Sequence, residues 1–223
     1  MCIRDRIFML LLFLTVWELF ADFHIIDSFF FSSPSRVVAC FVRMVSERSL
    51  FTHIGITLTE TVISFFLVAL VSLSTATLLW YSRRLSEILE PFLVVLNSLP
   101  KSALAPLLIV WLGTGMDTII AAGISVAIFG AIINLYTGFL QADPEKLLLI
   151  RTLGGTRRDC FFKVVLPASI PVILSNMKVN IGLSLVGVVI GEFLAARRGL
   201  GYLIIYGSQV FKMDWVLMSI VLL

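Results

Sequence analysis

Residues 53–80, HIGITLTETVISFFLVALVSLSTATLLW, carry a single carboxylate, Glu60, and no lysine or arginine. An α-helix needs about 20 predominantly apolar residues to cross the hydrocarbon core of a bilayer, and this run exceeds that length. A helix also satisfies its own backbone hydrogen bonds, which hydrocarbon requires of any spanning segment. Similar apolar runs recur at 7–21, 118–140 and 171–194, and a last one begins at Trp215. Over 223 residues the chain is 59% hydrophobic and 14% charged, with a mean hydropathy of +1.05. Those values place it as an all-α integral membrane protein with about six transmembrane helices. Its net charge of +3 comes from dispersed bases, which argues against a nucleic-acid partner.

The chain is poor in reactive constellations. Cys2, Cys40 and Cys160 are far apart and read as unpaired thiols, and His24 and His53 stand alone. There is no G-x-x-x-x-G-K-[ST] loop for a nucleotide. No H-x-x-x-H, paired carboxylates or Ser/His arrangement supports catalysis or a metal, so the chain is read as non-enzymatic with no cofactor of its own.

In chain order, Arg4 and Arg6 precede a first span at 7–21, with Trp17 as an interface anchor. No small-residue cleavage site follows, and the native N-terminus is expected to be longer than MCIRDR or to differ from it. Ser32-Ser33-Pro34-Ser35 then starts a helix in which Val37, Val38, Phe41, Val42 and Val45 oppose Arg36, Arg43 and Glu47. That pattern predicts an amphipathic helix in the outer interface. Residues 1–52 thus form an N-terminal transmembrane helix plus an interfacial helix, and 53–223 form the core. Glu60 either sits near the outer surface or has a function. The third segment, 90–115, is interrupted by Asn97, Pro100, Lys101 and Pro106. A helix broken this way frees backbone groups that only protein or a polar cavity can satisfy. Lys101 either snorkels toward the interface or lines a solute pathway. In the fourth span Gly123, Gly130 and Gly138 define a close-packing face, and Asn134 is placed for an interhelical hydrogen bond or a solute contact. Gly182, Gly187 and Gly191 do the same in the fifth span, with Glu192 near its outer end. Residues 215–223 begin a sixth span but fill half of it, so a longer C-terminus is expected.

The longest polar interruption is Asp143–Pro167. Asp143 fits an N-cap, Pro144 the first helical position, and Glu145 the first turn. Gly154-Gly155 stops that helix, Thr156 with Asp159 caps a second, and Pro167 is expected to end or kink it. Two helices of about ten residues are too short to span, and Arg151, Arg157, Arg158 and Lys163 place them on the cytoplasmic side.

Gly154, then nine residues, Val164, one residue and Leu166-Pro167 resemble the cytoplasmic loop of binding-protein-dependent ABC importer permeases, whose pattern is E-A-A, three residues, G, nine residues, I-x-L-P. Leu148, Leu149 and Ile150 stand where E-A-A is expected, and Glu145 is the acidic residue on roughly that face. Leu99-Pro100-Lys101 before Trp111-Leu112-Gly113-Thr114-Gly115, and Gly191-Glu192-Phe193-Leu194 before Gly199-Leu200-Gly201-Tyr202, are also similar to that family. The resemblance covers about 30–223 and is nearest the nitrate, taurine and alkanesulfonate importers.

It implies a type I importer permease with a cytoplasmic coupling helix pair in the loop 141–167. Asp143, Pro144, Glu145, Arg151, Gly154, Gly155, Leu166 and Pro167 would form the ATPase-coupling loop, while Asn97, Lys101, Asn134 and Glu192 would line the pathway. It further implies an ATP-binding ABC ATPase subunit holding ATP and Mg, an extracytoplasmic substrate-binding protein and a homodimer or paired permease. The setting would be the bacterial cytoplasmic (inner) membrane, and the cargo a small anion such as nitrate, a sulfonate or taurine. With the N-terminus inside, Arg4 and Arg6 together with 82–87 and 141–178 put ten bases in the cytoplasm, against six for 28–50 and 195–212 outside. An ion-gradient-driven transporter or channel is the alternative, but no internal repeat supports it.

Overall fold

The computed structural model describes residues 3–23 and 26–223, so Cys2 and His24 lie outside the described residues. Among the described residues every regular element is helical. The helices are α1 (Ile3–Asp22), α2 (Ser28–Phe31), α3 (Pro34–Ser46), α4 (Ser49–Tyr81), α5 (Arg83–Ser98), α6 (Lys101–Leu112) and α7 (Met116–Leu140). They continue with α8 (Pro144–Thr152), α9 (Arg157–Cys160), α10 (Leu166–Ala195), α11 (Leu200–Gln209) and α12 (Met213–Leu222). A π-helical turn, Phe161–Val165, joins α9 to α10 into one helix from Arg157 to Ala195.

Among the described residues three helices are long and apolar enough to cross a membrane: α4, α7 and the continuous Arg157–Ala195. The pair α5 and α6 meets the same test together but bends by 97° between Ser98 and Lys101. The Pro100 ring removes a donor and fixes φ at −68°, which breaks the helix where the sequence puts the Leu99-Pro100-Lys101 interruption. Of the other two expected crossings, α1 has 20 residues and α12 has 10, and neither is among the three.

The chain divides into two compact units, residues 1–58 with 192–223, and 59–191. In the first, α12 packs against α3 and α11. Cys40, Met44, Leu50, Leu200, Leu203 and Met218 form its core. Ser33 caps α3 by accepting from the Arg36 N–H, and Pro34 takes the first helical position. The buried stripe of α3 is Val37, Cys40, Met44 and Val45, while Val38, Phe41 and Val42 stay exposed. The expected apolar face is therefore split, because α12 covers only half of it.

In the second unit α4, α7 and α10 meet through small residues. A Cβ built on Gly123 would lie 2.6 Å from the Ser64 hydroxyl, and one on Gly187 would lie 2.8 Å from both the Ala122 carbonyl and the Gly123 Cα. Gly191 is closed by Ile119 in the same way, whereas Gly182 faces open space and takes no part. Close backbone approach of this kind is how helices associate where lipid supplies no hydrophobic drive. Gly187→Val is expected to cost about 1–3 kcal/mol by overpacking against backbone that cannot yield. Detergent-solubilised protein should show a lowered thermal midpoint, while Gly182→Val should not. Equal midpoints for the two variants would rule out this contact as drawn.

Candidate functional site

The connection from α7 to α10 folds as the local signals require. The Asp143 carboxylate accepts from the Glu145 N–H at 2.9 Å and lies 3.7 Å from the Lys146 ammonium. Helix α8 ends in a left-handed turn with Gly154 at φ +79°, where the Gly154 N–H donates to the Arg151 carbonyl at 3.0 Å and the Gly155 N–H to the Ile150 carbonyl at 2.9 Å. Thr156 and Asp159 then make a complete capping box, each side chain accepting from the other's backbone N–H.

Two contacts fix this turn to the spans. The Arg157 guanidinium donates to the Tyr81 carbonyl at 2.5 Å, holding α9 to the end of α4. Phe161, 3% exposed, sits among Trp80, Tyr81 and Phe139 with ring centroids 5.2, 5.5 and 5.5 Å away. Such aromatic pairs add about 0.5–1.5 kcal/mol each beyond burial.

Pro167 does not end the second helix, which was one of the two outcomes expected there. The Leu166 N–H donates five residues back to the Phe161 carbonyl, so the π-turn widens the helix just before the proline. That register relieves the clash a proline ring makes with a regular preceding turn, and the helix continues as α10. Leu166 is half-buried in the cluster around Phe161, and Pro167 is exposed.

Helix α8 itself buries no side chain. Leu148, Leu149 and Leu153 are 62%, 59% and 78% exposed, and Glu145 and Arg151 are exposed beside them. Leu147 alone packs, half-buried, against the cluster around Phe161, and a nine-residue helix with so little packing is marginal in water by itself. It is held here by its caps and by Leu147, and presents its other leucines outward.

Of the four residues read as pathway-lining, Asn97, Lys101 and Asn134 belong to the second unit. Asn97 is exposed near the end of α5, and its carbonyl accepts from the Lys101 ammonium across the α5–α6 break. Asn134 is exposed on α7 and lines a cavity of about 460 Å³ with Thr137, Gln141, Ser175 and Asn176. The Asn176 amide donates to the Ala131 carbonyl at 3.3 Å. Thr137, Gln141 and Ser175 were not singled out from the sequence; their spacing with Asn134 along α7 and α10 was the available signal. Glu60, the charge in the longest apolar run, is 2% exposed.

Glu192, 1% exposed, belongs to the N- and C-terminal unit. Its carboxylate accepts from the Thr57 hydroxyl at 2.6 Å and the Gly201 N–H at 2.5 Å. Thr57 Oγ1 in turn accepts from the Leu200 N–H at 2.8 Å, and the His53 imidazole accepts from the Gly199 N–H at 3.0 Å. This cluster fixes the Gly199-Leu200-Gly201 turn at the start of α11. His53 and Thr57 were legible only as residues four apart on one helix face.

Residues 68–223 match the family described as the binding-protein-dependent transport system inner membrane component. A probable ABC transporter permease protein of Haemophilus influenzae is 29% identical over 210 residues, covering 94% of this chain and 85% of that protein. The formylaminopyrimidine transport permease protein of Halalkalibacterium halodurans is 28% identical over 200 residues, covering 90% and 79%. The taurine transport system permease protein of Escherichia coli is 25% identical over 213 residues, covering 93% and 77%. Among solved structures, a methionine ABC transporter in inward-facing conformations shares the fold at a TM-score of 0.65 and 18% identity, covering 79% of this chain and 90% of that one.

Proposed function

Because the chain belongs to the binding-protein-dependent transport system inner membrane components, we propose that it is the pore subunit of an ATP-driven importer, coupled to its motor through α8. The observation that carries this reading is the capped α8, which packs only Leu147 against the spans and exposes Leu148, Leu149 and Leu153. A partner groove would cover those leucines, and the capping box, the Arg157–Tyr81 bond and the Phe161 cluster would carry its displacement into α4 and α10. ATP and Mg would sit on the partner ATPase. Two copies of this chain, or one with a paired permease, would enclose the pathway in the inner membrane, and a substrate-binding protein would deliver the solute from outside.

The small-anion reading draws on the taurine and aliphatic-sulfonate permeases among the relatives and on Lys101 at the α5–α6 break. The relatives also include formylaminopyrimidine and riboflavin permease proteins. The uncharged amides and hydroxyls around Asn134 favour such neutral ring solutes as a second reading.

The test of coupling is co-purification of the ATPase subunit with the parent and with Leu148→Asp/Leu149→Asp. The expected result is loss of the ATPase at an unchanged thermal midpoint of the permease, since neither leucine is buried. Retention of the ATPase by the double variant would remove α8 as the coupling element.

A further inference from the structure

We propose that the surface formed by α3 and the α11–α12 turn binds the headgroup of an anionic phospholipid. A cavity of about 450 Å³ there is lined by Arg36, Arg43 and Glu47 from α3 and by Lys212, Asp214 and Trp215 from the start of α12. The Asp214 carboxylate already accepts from the Ser32 hydroxyl at 2.5 Å, so its charge is partly satisfied within the protein. The Lys212 ammonium lies 4.5 Å over the Trp215 ring centroid, which holds the cation at the cavity. Three cations against two carboxylates favour an anionic guest, and a phosphodiester offers the oxygens that guanidinium groups bind best.

Exposed apolar residues on the same elements favour a lipid over a soluble anion. Val38, Phe41 and Val42 are exposed on α3, the helix that supplies Arg36 and Arg43 to the cavity. Phe29 and Phe30 pack on Phe211, the residue before Lys212, with centroids 5.9 and 6.5 Å away. Phe211 has φ +56° yet is 55% exposed. A bulky side chain in the left-handed region costs of order 1–3 kcal/mol, and burial does not repay it here. Exposed aromatic rings next in the chain to a lining lysine suit the level of a bilayer where acyl chains and headgroups meet. An acidic protein face would complement the cations but leave these rings uncovered. An amphipathic helix with bases beside exposed valine and phenylalanine is a lipid-interface device.

The experiment reconstitutes the assembled transporter in nanodiscs of phosphatidylcholine alone or mixed equally with phosphatidylglycerol, and reads the thermal midpoint. The parent should melt several degrees higher in the mixed discs. Arg43→Gln/Lys212→Gln should lose that shift, and Arg43→Lys/Lys212→Arg should keep it. Equal parental midpoints in the two lipids, or a shift that persists in the glutamine variant, would overturn the proposal. So would sn-glycerol 3-phosphate reproducing the full shift in phosphatidylcholine discs, which would mark a free-anion site. A glutamine variant that keeps the lipid shift but loses stimulation by the substrate-binding protein would reassign the face to protein docking. If that variant does not assemble, native mass spectrometry of the parent given equal amounts of both lipids decides, and equal retention of the two rejects the lipid.

Discussion

Gly154→Pro is expected to abolish ATPase-dependent uptake while leaving the permease folded. Gly154 sits at φ +79° with its N–H bonded to the Arg151 carbonyl, and proline can supply neither that φ nor that donor. The turn must reopen, and α8 then loses the C-terminal half of what holds it. Nothing lies within 4 Å of a Cβ at this position, so no span is disturbed. Gly154→Ala provides the graded control: a non-glycine residue in the left-handed region costs roughly 1–2 kcal/mol, about a tenfold loss of the docked population. Uptake in proteoliposomes should thus fall partially for alanine and completely for proline, at equal thermal midpoints. Full uptake by the proline variant would show that the turn has no part in coupling.

Gly199→Ala is expected to prevent folding of the N- and C-terminal unit. Gly199 has φ +123°, and an added Cβ would sit 2.3 Å from Glu192 Oε1 and 2.4 Å from its Cδ. The carboxylate would have to move, abandoning the Thr57 hydroxyl and the Gly201 N–H. Breaking a buried charge away from its partners typically costs about 3–5 kcal/mol, a large part of the stability of most domains. Thr57→Val removes one donor to the carboxylate and the acceptor of the Leu200 N–H, and should cost about 1–3 kcal/mol instead. Size-exclusion profile and thermal midpoint separate the two outcomes. A monodisperse Gly199→Ala protein with the parental midpoint would show that Glu192 does not hold this turn.

The same contrast between local and distant causes runs through the whole chain. Helix starts at Pro34 and Pro144, the stop at Gly154 and the capping box at Thr156 all follow from interactions within a few residues, which a single sequence displays. The break at Leu99-Pro100 is equally local, because the proline ring acts on its immediate neighbours. Pro167 obeyed a different rule: the preceding π-turn set the hydrogen-bond register, and the aromatic cluster that anchors Phe161 draws on α4 and α7 as well. Of the glycines placed on close-packing faces, Gly123, Gly138, Gly187 and Gly191 met a neighbouring helix, Gly130 came near only the Asn97 side chain, and Gly182 met none, a distinction that depends on which way each helix faces.

By itself the sequence determined that the chain is helical and apolar enough for a membrane, and where its polar loop folds back. Hydropathy and capping are properties of contiguous residues, so their physics is complete within a window of a few turns. Only the tertiary structure decided that Glu192 is a buried acceptor for Thr57, 135 residues away, and that α8 leaves its leucines uncovered. Those outcomes are set by contacts between distant segments, and such contacts exist only once the helices have packed.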